Sequence, residues 1–284
     1  MSKVAVVTDS SAYMPSDILE KYNITVTPQG LIWGNETFLD GVDILPDEFY
    51  KRLATSKIMP TTSQVAIGTM KTAFEKLLTE GYSILGIFMS GKLSGTIQSA
   101  TRAREMLSKA ADKIVIVDSN STAMGMGFHV LTAARAAQDG ANLVECQKLA
   151  EKCQQHTGVF FVVETLKFLY RGGRIGGAQA LMGTVLNIKP VLELRDGQIE
   201  SIEKARTKRK AMDRLIALVS HQVEGRTPLR LAAFHANAEV EARSLLETVT
   251  AKLNPVETFV TSVSPAIGVH AGPGTVGLAY MAGM

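Results

Sequence analysis

The chain is predicted to be α/β, with two α/β domains: a first with a mainly parallel sheet flanked by helices, and a second with a mixed sheet. Three observations carry this reading. Short apolar runs at Val4–Thr8, Ile84–Met89 and Ile114–Val117 alternate with stretches whose apolar residues recur at helical spacing. All three runs end in polar loops that contain serine, and ligands of parallel sheets sit outside the carboxyl ends of strands. Arg195-Asp196-Gly197-Gln198, between two extended stretches, is a hairpin signal that makes the second sheet mixed. A length of 284 residues can bury two cores. The division is placed at 1–157 and 158–284, with no repeat or low-complexity linker to mark it.

In order, a first buried strand ends at Asp9-Ser10-Ser11, and Pro15-Ser16 opens a helix through Tyr22. Ile24 to Trp33 reads as extended, and Gly34-Asn35 turns the chain into Thr37–Leu39. Pro46-Asp47-Glu48 starts a helix with acids in its first turn, as the helix dipole favours. Pro60-Thr61-Thr62-Ser63-Gln64 is a hydroxyl-rich loop leading into a helix to about Thr79. After the strand Ile84–Met89 comes Ser90-Gly91-Lys92-Leu93-Ser94-Gly95-Thr96. Ile97, Ala100, Ala103 and Leu107 then continue at helical spacing. Helices are predicted over Thr122–Gln138 and Asn142–His156.

The second half opens on a strand at Val159–Val163 and a short helix at Thr165–Tyr170, ended by Arg171-Gly172-Gly173-Arg174-Ile175-Gly176-Gly177. A helix to about Leu186 follows. Ile188–Leu194 holds Pro190 and so reads as an edge strand. The hairpin returns through Ile199–Ala205. Thr207–Val223 is helical, Leu229–His235 a strand, Glu239–Leu253 a helix and Val256–Val263 a strand. Pro265–Ile267 leads into Gly268-Val269-His270-Ala271-Gly272-Pro273-Gly274.

Composition narrows the function. Hydrophobic residues at 46% and charged residues at 20% describe an ordinary folded chain. A net charge of +3 with 6% aromatics supports no nucleic-acid partner. No apolar run approaches the length needed to cross a bilayer, and Val4–Val7 is too short for a signal peptide, so a cytoplasmic location is expected. Cys146 and Cys153 have no histidine at a metal-site spacing and read as reduced residues.

The loop Ser90–Thr96, between a buried strand and a helix, suits an anion. Helix N-termini present unpartnered N–H groups, glycines allow close approach, and Ser94 or Thr96 adds a hydroxyl. Capping of its own helix explains the same residues equally well. Gly272-Pro273-Gly274-Thr275-Val276-Gly277 satisfies G-x-G-x-x-G. A dinucleotide site is nevertheless rejected, because seven residues remain after Gly277 and none is acidic. A tight turn is the better reading. Nor does the Ser94 loop fit a P-loop or a G-x-S-x-G elbow. A hydrolase or phosphotransferase using Ser94 and His270 remains the alternative, with Asp118 as a third member of the set. Asp9 and Asp118 suit capping and Asx turns better than a metal. The basic run Lys204, Arg206, Lys208, Arg209 and Lys210 opens a helix against its dipole, so an anion or acidic partner would relieve it. Arg171 and Arg174 could share that surface. An anion-sensing regulatory module is the third possibility.

Taken together, seven segments in order resemble the DegV family of bacterial fatty-acid-binding proteins. They are VTDSSA (Val7–Ala12), TTSQ (Thr61–Gln64), SGKLSGT (Ser90–Thr96), VDSNS (Val117–Ser121), RGGRIGG (Arg171–Gly177), KARTKRKA (Lys204–Ala211) and IGVHAGPGTVG (Ile267–Gly277). Val65 departs from the proline common in relatives. The resemblance implies a long-chain fatty acid held between the two domains, and no cofactor. Its carboxylate would meet Thr62 and Ser94, with His270 and Arg206 nearby and Thr61, Ser63, Gly95 and Thr96 shaping the pocket. It also implies a non-catalytic subunit whose partner, an ATP-dependent fatty acid kinase, phosphorylates the bound carboxylate for phospholipid synthesis. Arg171, Arg174 and Arg209 would be the docking surface for that kinase. The energetics agree: about fifteen buried methylenes at roughly 0.8 kcal/mol each offset much of an association cost of about 4–15 kcal/mol.

Overall fold

The computed structural model describes residues 3–181 and 188–284. Its first sheet is all parallel, in the order β2 (Thr25–Thr27), β1 (Val4–Asp9), β6 (Ser83–Phe88) and β7 (Ile114–Asp118). Every residue of β1 and β6 is buried, as a parallel strand covered on both faces requires. The two faces split by parity. Ala5, Val7, Ile84 and Phe88 pack with Met70 and Phe74 of α3 (Ile67–Thr79) and Ala100 and Ala103 of α4 (Thr96–Met106). Val4, Val6, Leu85 and Ile87 face the other way, toward α5 (Ala123–Gln138) and α6 (Leu143–Lys152).

The second sheet runs β10 (Gln198–Ala205), β9 (Lys189–Arg195), β8 (Thr157–Val162), β13 (Val276–Ala282), β11 (Leu229–His235) and β12 (Glu257–Ser262). All its pairs are antiparallel except β11–β12, so it is mixed as expected. Phe160, Val162, Leu231 and Leu278 cover α8 (Lys208–Val223) and α9 (Glu239–Leu253). Val159, Phe161, Leu192 and Phe234 point to the opposite face and join the hydrophobic cluster of α5 and the first sheet. Helix α5 touches strands of both sheets, which is why it is buried on nearly every side.

Five expectations need correction. The extended stretch before Trp33 is two strands in different sheets: β2 joins the parallel sheet, while β3 (Gly30–Trp33) leaves it. A small antiparallel sheet results, ordered β4 (Glu36–Leu39), β3 and β5 (Thr61–Ser63), so the loop expected at Thr61–Ser63 is an edge strand. Pro190 does not mark an edge. Strand β9 lies between β10 and β8, and Pro190 is tolerated because pairing with β8 begins only at Val191. The segment Pro265–Ala271 is a helix, α10, and the chain then supplies β13, which sequence reading missed although it sits at the centre of the sheet. The described part of the helix expected after Gly177 is a 3-10 turn at Gly176–Leu181; its continuation to Leu186 lies outside the described residues.

The turn predictions fare better. Asp196 and Gly197 both have positive φ, 49° and 77°, as a two-residue hairpin turn demands. Gly272 and Gly274 adopt φ of 76° and 81°, so the first half of the G-x-G-x-x-G segment is turn geometry, while Val276 and Gly277 open β13. Cys146 and Cys153 are free and buried. Among the described residues no helix is long and apolar enough to cross a membrane.

Candidate functional site

The three strand-end loops of the first sheet are tied to one another. The buried Asp9 carboxylate accepts the N–H of Ser11 at 2.9 Å and of Met89 at 3.0 Å. Asp118 accepts from Gly91 at 3.0 Å and from Asn120 at 2.8 Å, and Ser90 donates its N–H to the Ser121 carbonyl. Asp9 and Asp118 therefore organise turns, and no group of three or more metal-ligating side chains occurs among the described residues. The loop after β6 meets the β9–β10 turn where the Ser90 hydroxyl donates to the Gly197 carbonyl at 2.7 Å.

Between these loops and the second sheet lies a cavity of about 940 Å³, its open mouth included. Its apolar wall comes from both sides of the molecule. Leu93 comes from the loop after β6, Phe161, Leu194, Ile199 and Phe234 from the second sheet, and Ile267 from α10. Phe234 can lie flat across β13 only because that strand carries Gly277; a Cβ there would meet both the ring and the backbone of Phe160.

One end of the cavity is polar, and a chain of contacts defines it. Thr62 on β5 and His270 at the end of α10 are 208 positions apart, yet Thr62 Oγ1 lies 2.8 Å from His270 Nε2. The other imidazole nitrogen, Nδ1, has no partner and abuts Gly172. A proton on Nδ1 would be an orphan donor, so the neutral ring is assigned with its proton on Nε2, donating to Thr62. That leaves the Thr62 hydroxyl hydrogen free for a ligand. Burial, with Arg174 adding repulsion, lowers the His270 pKa to about 4, so the ring is neutral near pH 7. Arg174 donates to the Leu93 carbonyl at 3.0 Å and to the Gly172 carbonyl at 2.6 Å, bracing the Ser90–Thr96 loop against its own turn. Ser94 Oγ lies 3.0 Å from Thr96 Oγ1 and accepts the Thr96 N–H at 3.3 Å, so it serves its own helix start while still lining the cavity.

Of the residues singled out in the sequence, Thr62, Ser63, Ser94, Gly95, His270 and Arg174 line the cavity. Thr96 is buried behind Ser94. Thr61, Arg171, Arg206 and Arg209 are exposed and are not among the cavity's described lining residues. Lys208 is held by Glu164 at 3.2 Å and Glu241 at 3.1 Å, which meets part of that basic run's need for an anion from within the chain. The rival set Ser94–His270–Asp118 is not assembled: His270 bonds Thr62, Ser94 bonds Thr96, and Asp118 is engaged by two backbone N–H groups. Sequence reading missed Gln64, whose amide lies across Gly95 and joins two of the motif loops, and Tyr13, which lines the cavity from the turn after β1. Both stood beside residues already singled out, but nothing in their spacing distinguished them.

Comparison with known proteins identifies the family and the fold. The chain is 36% identical to a DegV domain-containing protein of Clostridium perfringens over 98% of both chains. It is 33% identical to Protein DegV of Bacillus subtilis, again over 98% of each. Among solved structures, a fatty-acid-binding DegV family protein from Thermus thermophilus superposes with a TM-score of 0.93, at 32% identity over 99% of each chain. The structure of DegV from Bacillus subtilis, a fatty acid binding protein, gives 0.90 at 32% identity, covering 99% of this chain and 100% of that one. The family profile described as "Uncharacterised protein, DegV family" matches residues 3–283, and the chain belongs to the DegV family.

Proposed function

We propose that this chain binds a long-chain fatty acid in the cavity between its two lobes, 1–157 and 158–284. It presents the carboxylate to a separate ATP-dependent fatty acid kinase and has no catalytic activity of its own. The observation that carries the reading is a single space with greasy walls from both lobes and one polar end where Thr62, Ser94, His270 and Arg174 gather. The tail gains roughly 0.8 kcal/mol for each methylene taken from water. An ionised head buried without partners would forfeit that gain. The hydroxyls of Thr62 and Ser94 supply donors, His270 orients Thr62, and Arg174 adds positive charge nearby. Ser63, Gly95 and Thr96 hold the loops in shape, and Thr61 fixes β5 against β3. Exposed Arg171, Arg206 and Arg209 have no ion pair among the described residues, and they form the surface offered to an acidic face of the kinase. The bound carboxylate oxygen, left facing the mouth, is then the nucleophile toward the terminal phosphoryl group of the kinase's nucleotide; the new O–P bond forms as the bond to the bridging oxygen breaks, and the nucleoside diphosphate leaves with that oxygen.

Native mass spectrometry after mild purification should show a co-purified long-chain acid. A chain that is empty and also refuses added fatty acid would sink the reading. Thr62→Ala and Ser94→Ala should each weaken binding of the acid about 10- to 100-fold, the worth of a hydrogen bond to a charged group. Both should impair acyl phosphate formation with an active kinase, and unchanged turnover would refute the head-group assignment. Stoichiometric labelling of Ser94 by a fluorophosphonate would favour the hydrolase instead.

A further inference from the structure

Tyr13 lines two cavities at once. One is the space described above. The other, about 1070 Å³ with its open side, has a mixed lining that includes Asp9, Asp40 and Ser264 beside Leu19, Val26 and Val260. Tyr13 is 8% exposed and follows the 3-10 turn Ser10–Ala12, so its ring is a partition between the two spaces. Its backbone is held at φ 55°, ψ 30°, a left-handed conformation that is unfavourable for a bulky side chain and persists only where the surroundings enforce it. The enforcement is visible: α5 approaches so closely at Gly127 that a Cβ there would press on the Ala12 carbonyl and on Met14.

The position of the partition follows from α10. His270, at the polar end, is the sixth residue after Ser264, so about 9 Å of helix separates them. Ala266, Ile267 and His270 of that helix all line the first cavity, which therefore runs back along α10 toward Ser264. Tyr13 stands at that end. Its hydroxyl is buried and sits toward the Ser264 hydroxyl, on the side of the second cavity. Burial, with Tyr50, Asp40 and Asp9 adding to it, pushes the phenol well above its ordinary range and keeps it neutral. The ring thus stands between the first cavity and a second one whose lining also includes apolar side chains such as Leu19, Val26 and Val260.

We infer that Tyr13 is the end wall of the acyl site and sets the longest fatty acid that the chain accepts. This rests on the reading of the first cavity as the fatty-acid site. Removing the ring joins the two cavities and gives the tail room to extend. Each further methylene buried raises affinity roughly four-fold.

The test compares wild type, Tyr13→Gly and Tyr13→Phe, each loaded from an equimolar mixture of saturated acids of 12 to 24 carbons and read by native mass spectrometry. Glycine is suited to the left-handed backbone, so Tyr13→Gly deletes the wall without adding backbone strain, and thermal unfolding of the variant checks that it is folded before loading. Its bound acids should shift by two or more carbons toward longer chains, with acids two carbons beyond the wild-type limit gaining roughly ten-fold or more in affinity. Tyr13→Phe should keep the wild-type profile. A Tyr13→Gly profile identical to wild type overturns the inference and leaves fatty-acid binding intact. A Tyr13→Phe shift as large as that of Tyr13→Gly also overturns it, because the hydroxyl would then be the determinant. Wild type that binds no acid at all sinks the underlying reading.

Discussion

A single methyl group at Gly172 should disable the polar end of the cavity without replacing any residue that lines it. Gly172 has φ −76° and ψ −7°, a conformation that alanine adopts freely, so Gly172→Ala adds no backbone strain. What it adds is a Cβ aimed edge-on at the His270 ring. Cε1 would lie 2.8 Å from it, Cγ 3.1 Å, and Nδ1 closer than either, whereas real Cβ atoms essentially never come within 3.0 Å of another heavy atom. The ring would have to retreat by about an ångström. Nδ1 and Nε2 lie on opposite flanks of the imidazole, so that retreat drives Nε2 into Thr62, already at 2.8 Å. A hydrogen bond cannot shorten that far, and the imidazole must swing out of place. Overpacking of this kind costs about 1–3 kcal/mol of stability. Loss of an oriented Thr62 donor costs a further 1.5–3 kcal/mol, roughly, in carboxylate binding, or about 10- to 150-fold in affinity. The assay is titration of a fluorescent or calorimetric fatty acid probe, beside thermal unfolding of the empty chain. A Gly172→Ala protein with wild-type affinity and wild-type Tm would show that the His270–Thr62 pair does not position the head group.

Two further outcomes are expected. Arg135 of α5 makes a bidentate pair with Glu257 of β12 at 2.6 and 3.1 Å, and also donates to Tyr22 at 3.3 Å. Both side chains of the pair are mostly covered, so Arg135→Ala should cost about 1–2 kcal/mol in denaturant unfolding, and no loss would show the tie to be ornamental. His270 titrates near pH 4 in the folded chain and near the ordinary 6.5 when unfolded. Its contribution is complete above pH 6.5 and is lost as pH falls toward 4, because the unfolded chain then takes up the proton first. Asp40, raised by burial to about 6, acts in the opposite sense, losing its contribution as pH rises from its ordinary value to 6. His270→Asn should therefore reduce the positive slope of stability against pH between 4 and 6.5, by up to about 1.4 kcal/mol per pH unit. An unchanged slope would contradict the depressed pKa.

Much of the layered fold was legible because burial leaves a local trace. Strands β1 and β6 are buried throughout and β7 partly so, and their apolar runs announce them, while the serine-rich loop after β6 lies on the cavity side of the sheet. Strand β13 was not legible. It is central, but one face carries Gly277 and Ala279, small because the Phe234 ring lies across Gly277, and that demand comes from another strand. The same holds for β9, where Pro190 suggested an edge that its pairing partners do not leave.

By itself, the sequence determined the alternation of strands and helices, the turns at Asp196-Gly197 and Gly272–Gly274, and a set of short motifs specific enough to point to a family. These are properties of neighbouring residues, set by periodicity and backbone conformation. Which of the motif residues meet was decided only by tertiary structure. Folding carries His270 across 208 positions to Thr62, turns Arg174 inward to Leu93 while Arg171 stays outside, and stands Tyr13 between two cavities. Such meetings depend on how two sheets and the helix between them close upon each other, and contacts between distant segments leave no spacing to read.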